Sequence, residues 1–154
     1  MDWLDKAANN AKDEQKRIEE AEERIRKINE AYPDCRMQLW IEFQSVFKDI
    51  QEKFGAEVTH IEAHENTLNI KIADVTIHAI AEQQILIGGY YASVNLSYNV
   101  SGSYATMELP YSPILLNRDG KWVYLDRSKS WPVSKEFGKE QIGEIFKSAL
   151  QKYL

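Results

Sequence analysis

Apolar and polar residues recur along this chain with two different periods, and the change of period divides it. Over residues 4 to 32, Leu4, Ala7, Ala11, Glu14, Ile18, Ala21, Ile25, Ile28 and Tyr32 follow one another at alternating steps of three and four, and all but Glu14 are apolar or aromatic. That spacing makes a heptad seam along one side of a helix. The other faces carry Asp13/Arg17, Glu20/Arg24, Glu22/Arg26 and Glu23/Lys27, each acid four residues ahead of its base, the order that supports an exposed helix. Pro33 has no backbone donor and is expected to end the element. With Asp34 as N-cap, the apolar set Met37, Trp40, Phe43, Phe47, Ile50 and Phe54 keeps helical period up to Gly55, a suitable residue just past a helix end. A second and much more hydrophobic helix is therefore expected over 34–54, packed on a sheet.

Joined by a short turn at Pro33, the two helices are expected to form a helical hairpin, whose small Ala7, Ala11 and Ala21 would allow close approach. Homodimerisation through the seam at residues 4–32 is the competing expectation. A helix of about 30 residues is ~45 Å long, whereas a globule of this size is ~40 Å across. Either the first helix lies along the whole domain, or its first turns project.

From Val58 the period falls to two. Strands are expected at 57–64, 67–73, 75–82, 84–87, 90–100, 104–109, 114–117 and 121–125, with turns at Glu65-Asn66, Gly88-Gly89, Ser101-Gly102 and Arg118-Asp119-Gly120. Connections this short exclude parallel crossovers, so an antiparallel meander of six to eight strands over 57–125 follows. The run 90–100 alternates most cleanly. It sets Tyr90, Ala92, Val94, Leu96, Tyr98 and Val100 on one face, and Tyr91, Ser93, Asn95, Ser97 and Asn99 on the other. After a loop holding Trp131 and Pro132, residues 139–153 place Ile142, Ile145, Phe146, Ala149, Leu150 and Tyr153 on one stripe, a closing helix. The expected class is α+β, as a single domain over residues 1–154.

Charge adds an asymmetry. The chain carries 19 basic and 24 acidic side chains for a formal net charge of −5. Net charge is −4 over residues 1–57, −4 over 58–117 and +3 over 118–154. An acidic balance argues against binding nucleic acid through phosphate neutralisation. The lone Cys35 excludes an internal disulfide, no apolar run is long enough to span a bilayer, and Met1 to Asp5 do not read as a signal peptide. The expected compartment is the cytoplasm.

Several groups could carry chemistry. His60, Glu62 and His64 alternate along one strand, the residue types of a two-histidine, one-carboxylate metal site. Successive ligands on a strand diverge, however, so a further group such as His78 would be needed; no metal and no cofactor is expected. Cys35 sits where a helix start would favour its thiolate, yet no phosphate-binding loop, nucleophile elbow or dinucleotide-binding glycine motif is present. Arg118, Lys121, Arg127, Lys129, Lys135 and Lys139 alternate with Trp122, Tyr124 and Trp131, as single-stranded nucleic acid would require; a hairpin tip with Trp122 turned inward is the preferred reading.

The most unusual feature is the run 72–117, which has no Lys or Arg and holds Tyr90, Tyr91, Tyr98, Tyr104 and Tyr111 among many Ser and Asn. Exposed strands ordinarily carry charge against edge pairing, and Tyr, Ser and Asn dominate adaptable binding surfaces. The expected function is accordingly a non-catalytic protein-binding domain of adaptor, chaperone-like or inhibitor type. Tyr91, Ser93, Asn95, Ser97, Asn99 and Trp131 are its expected contact residues. Central strands covered by the first helix would remove the need for charge without any partner. The alternative function is a small-ligand or metal-binding domain, which a deep cavity lined by Tyr98, Tyr104 and Trp122 would favour. Use of His60, His64 or His78 as a hydrolytic base ranks third.

Overall fold

A computed structural model describes residues 1–154. The strands are β1 (Thr59–Ala63), β2 (Thr67–Ile72), β3 (Val75–Leu86), β4 (Tyr90–Val100), β5 (Met107–Glu108), β6 (Ile114–Leu116), β7 (Trp122–Asp126) and β8 (Val133–Glu136). They form one antiparallel sheet in the order β1-β2-β3-β4-β6-β7-β8, and β5 adds a short pairing to β4. Alternation then sorts the side chains. Leu68, Ile70 and Ile72 on β2, Val75, Ile77 and Ala79 on β3, Ala92, Val94 and Leu96 on β4, and Ile114 and Leu116 on β6 are all buried on the inner face.

Two helices cover that face. The carboxy-terminal half of α1 (Asp2–Phe54) contributes Leu39, Trp40, Phe43 and Phe47, and α2 (Lys139–Ala149) contributes Ile142, Ile145 and Phe146, all within one apolar cluster. Phe43 has no exposed surface; its ring lies edge-on to Trp40 at 6.4 Å and stacks with Phe137 at 6.2 Å. Each such side chain taken out of water stabilises the fold by roughly 1.5–3 kcal/mol. A short 3-10 turn, Gln151–Tyr153, ends the chain, and Lys152 and Tyr153 bond to Asp74 in the β2–β3 turn. No helix is long and apolar enough to cross a membrane.

The α+β class, the antiparallel meander, now of eight strands, and the closing helix agree with the sequence pattern. The helical hairpin does not. One helix of 53 residues runs from Asp2 to Phe54 with Pro33 inside it. Proline removes the bond its own N–H would make to the carbonyl four residues back, here that of Asn29. Gln83 on β3 replaces it: its Nε2 donates to the Asn29 carbonyl at 3.3 Å and to the Asn29 side chain at 3.2 Å. Packing on both sides of the proline holds the two halves in line. Ile28 and Tyr32 are buried before it and Arg36 and Leu39 after it, while Tyr32 and Arg36 both donate to Asn66. Asp34 is thus an interior residue and not a cap.

Two further differences concern the sheet. The segments 75–82 and 84–87 are one strand, β3, with a register shift between Gln83 and Leu86. Val133–Glu136, read from the sequence as loop, is the edge strand β8 paired to β7. At the other end of the molecule, residues 1 to 20 of α1 are solvent-exposed throughout, so ~30 Å of helix stands clear of the sheet layer.

Pro33→Ala restores the lost backbone donor within a helix that is already continuous. It is expected to stabilise the protein by ~1–3 kcal/mol with no change in helix content, measured by chemical denaturation and far-UV circular dichroism. A lower stability would mean that the proline shapes the helix in a way the packing needs.

Candidate binding face

Because both helices lie on the inner face, no helix covers the opposite side of the sheet. Register sets its rows. Glu62 pairs with Asn69, Asn69 with His78 and His78 with Ser97, while Thr76 pairs with Asn99 and Ile80 with Asn95. The central strands therefore present Thr76, His78, Ile80, Asn95, Ser97 and Asn99, an uncharged strip with Glu62 and Lys71 on the β1 and β2 side. Asn95 and Ile80 are exposed and the other four partly so; Ile80 keeps 54% of its surface, an apolar residue in the middle of polar ones. His78 is fixed in this strip, with Nδ1 2.7 Å from Asn69 Oδ1 and Nε2 2.8 Å from Asn99 Oδ1.

The residues singled out from the sequence fall into three groups. Asn95, Ser97 and Asn99 lie together on the bare face. Ser93 has the expected orientation but only 3% of its surface is exposed, and it accepts a bond from Gln84 Nε2 at 3.2 Å; Tyr91 is half-buried and packs against the core cluster. Gln84 reaches Ser93 from the irregular end of β3, where the register shifts between Gln83 and Leu86. Trp131 is exposed, but it sits in the β7–β8 loop, two to three strand spacings or roughly 10–14 Å across the sheet from β4. It does not join the strip. Asn69, Thr76, His78 and Ile80 were not assigned to the face from the sequence. Alternation within 67–73 and 75–82 carried that signal once β2, β3 and β4 were paired.

Shelter of the backbone is also different from the expectation. β4 is hydrogen-bonded to β3 on one side and to β5 and β6 on the other, so its missing charge leaves no open edge. What the chain leaves uncovered is the side-chain face over β3 and residues 95–99 of β4; further along, the outer row Ser93, Leu115 and Val123 is buried.

No three His, Cys, Asp or Glu side chains converge on a point where they could hold a metal ion. His64 lies 3.3 Å from Glu62, and His78 is engaged by two asparagines. Tyr98, Tyr104 and Trp122 do not share a cavity: Tyr98 packs on the core, Tyr104 is fully exposed and Trp122 is buried, donating from Nε1 to the Cys35 carbonyl at 2.8 Å. The basic and aromatic alternation beyond Arg118 breaks up as well. Trp122 points inward, Tyr124 packs edge-on to Tyr111 at 4.6 Å, and Lys135 pairs with Asp126 at 2.6 Å.

A groove open to solvent runs between α1 and the β7–β8 side of the sheet, lined by Cys35, Gln38, Glu42, Lys121, Trp122 and Glu136 among others. Cys35 here is an interior helix residue, not one at a helix start, and its Sγ lies 3.5 Å from the Gly120 carbonyl, to which it can donate. Burial, and then the neighbouring Asp34 charge, push the thiol above its ordinary range. Both effects work against the thiolate that a helix start would have favoured.

The chain matches no protein-family model, no curated protein and no solved structure.

A thiol held protonated reacts slowly, since the thiolate is the nucleophile. Cys35 is expected to be alkylated by iodoacetamide at neutral pH more slowly than free cysteine, its rate rising with pH through and beyond the range where free cysteine levels off. Alkylation faster than free cysteine at pH 7, followed by mass spectrometry, would restore an activated thiol.

Proposed function

We propose that this chain is a non-catalytic protein-binding module that acts in the cytoplasm, engages another protein through the bare outer face of its sheet, and self-associates through the projecting part of α1. The observation that carries the reading is one-sided coverage. Helices seal the inner face, while Thr76, His78, Ile80, Asn95, Ser97 and Asn99 stay open across two central strands. An exposed strip of small polar groups with one isoleucine suits a partner surface able to satisfy amides and hydroxyls while covering a modest apolar spot. Amide and hydroxyl groups re-orient their hydrogen bonds at low cost, and absence of Lys from 72–117 removes a side chain depleted from interfaces.

Charge shapes the choice of partner. Net charge is −5, and by register Glu62, Glu82 and Glu108 border the strip. Such a field would steer a basic partner toward the face and raise its association rate. Catalysis finds no comparable support: His78 is held between two amides, and burial and the Asp34 charge push the Cys35 thiol above its ordinary range.

A photo-reactive amino acid placed at Asn95 tests the face in the expressing cell. Light-dependent adducts with one or a few proteins are expected at that position, and adding Ile80→Arg is expected to abolish them while the melting temperature is retained. Adducts that are no more abundant than at an exposed site on α1, or that persist in the Ile80→Arg variant, would remove the sheet face from the reading.

A further inference from the structure

The projecting part of α1 exposes a seam that nothing in the chain covers. Leu4, Ala7, Ala11 and Ile18 lie on it, in the stretch where every residue from 1 to 20 is exposed. Two other apolar groups are exposed at the ends of this stretch. At its tip are Met1, Trp3 and Leu4, with Trp3 67% exposed; at its base is the β3–β4 turn, with Ile85 65% exposed and Ile87 fully so. The turn's position follows from the fold. Gln83 bonds to Asn29, and β3 runs antiparallel to α1, since the β2–β3 turn lies at the carboxy-terminal end of the helix beside Val58 and the chain terminus. Four more strand residues add ~13 Å, which is about nine residues of helix. Ile87 therefore stands level with about residue 20 of α1 and Ile85 with about residue 25, a span in which Ala21 and Ile25 are already half covered.

Resting on the self-association proposed above, we infer that two copies of this chain pair through residues 1–24 as an antiparallel, two-fold symmetric coiled coil, each amino-terminal tip seated on the partner copy's β3–β4 turn. Charge decides the direction. Residues 13–24 carry Asp13, Glu14, Glu19, Glu20, Glu22 and Glu23 against Lys16, Arg17 and Arg24, while residues 1–12 balance Asp2 and Asp5 with Lys6 and Lys12. A parallel pair sets the acidic half against its own copy and Glu14 against Glu14 across the seam. Antiparallel pairing sets the acidic half against the balanced one.

Size fixes the register. Crossing between Lys12 and Asp13 puts Leu4 opposite the partner's Ala21, Ala7 opposite the partner's Ile18 and Ala11 opposite the partner's Glu14, so each large seam residue meets an alanine and the helices can approach closely. The same crossing uses the whole free length. Met1 and Trp3 then fall opposite residues 24 and 22, within the span that Ile85 and Ile87 bracket, so the exposed apolar groups at the two ends cover each other twice in the dimer. An isologous interface of this kind closes on itself and leaves no end for further growth.

The test uses the full chain with Cys35→Ser, so that the only thiols are introduced ones. Light scattering of the unaltered chain is expected to give twice the chain mass. In a glutathione redox buffer, Ala7→Cys alone and Ile18→Cys alone are expected to stay uncrosslinked, and an equimolar, pre-equilibrated mixture of the two to form a disulfide-linked dimer. Ile85→Asp with Ile87→Asp is expected to weaken the dimer at least about tenfold with unchanged circular dichroism. A monomer at every concentration would sink self-association and this inference together. A dimer in which the single variants crosslink, or in which the mixture does not, would overturn the antiparallel register alone and leave self-association standing.

Discussion

The rest of the structure depends on the packing of one helical half, residues 36 to 50 of α1, onto the inner face of the sheet. Leu39, Phe43 and Phe47 are almost without exposed surface there, and Ile142, Ile145 and Phe146 of α2 close the same cluster from the side. Because the seal is apolar and lies on one side, it fixes at once which sheet residues are structural and which are available. It also carries the first half of α1 outward: a helix anchored at one end over many buried side chains cannot turn back without giving up the bonds at Gln83 and Asn66.

Pro33 shows where reading from the sequence stops. Locally it is a strong terminator, since its ring opposes the helical turn before it and its nitrogen donates nothing. Propensity is a weak prior against tertiary contact, and here the lost bond is replaced from a strand fifty residues away, which no local pattern announces. Strand β8 was missed for the opposite reason. All four of its residues are exposed, and Val133, Ser134, Lys135 and Glu136 show no apolar alternation; it is a strand only because β7 has an edge to pair with. By contrast β4 was legible to its end residues, because its apolar and polar residues alternate along its sequence and leave a period-two signature.

The candidate face was legible in part. Asn95, Ser97 and Asn99 could be placed on it from β4 alone, while Ser93 and Tyr91 share their alternation phase and yet are covered, since phase states a direction and not what lies above it. Their loss and the gain of His78, Asn69 and Ile80 have the same origin. Both are set by how β2 and β3 lie beside β4, information held in pairing register and absent from any single strand. For the same reason the charge-free strand β4 needs no outside shelter for its backbone: a central strand has its hydrogen bonds on both sides, so only its side-chain face can be left over.

Continuity of α1 links the two surfaces. A turn at Pro33 would have let the projecting arm swing independently of the sheet, whereas an unbroken helix with packed residues on either side of the proline transmits the position of one to the other. An antiparallel pair over residues 1–24 would then hold two sheet layers ~36 Å apart or more at the ends of a stiff spacer, each with its bare face in a fixed orientation. A partner carrying two matching surfaces at that separation would bind the second face from a high effective concentration, and one with a different spacing would gain nothing, because a stiff spacer cannot adjust its reach. In such a dimer the rigid passage through Pro33 would convert two modest polar faces into a measure of distance.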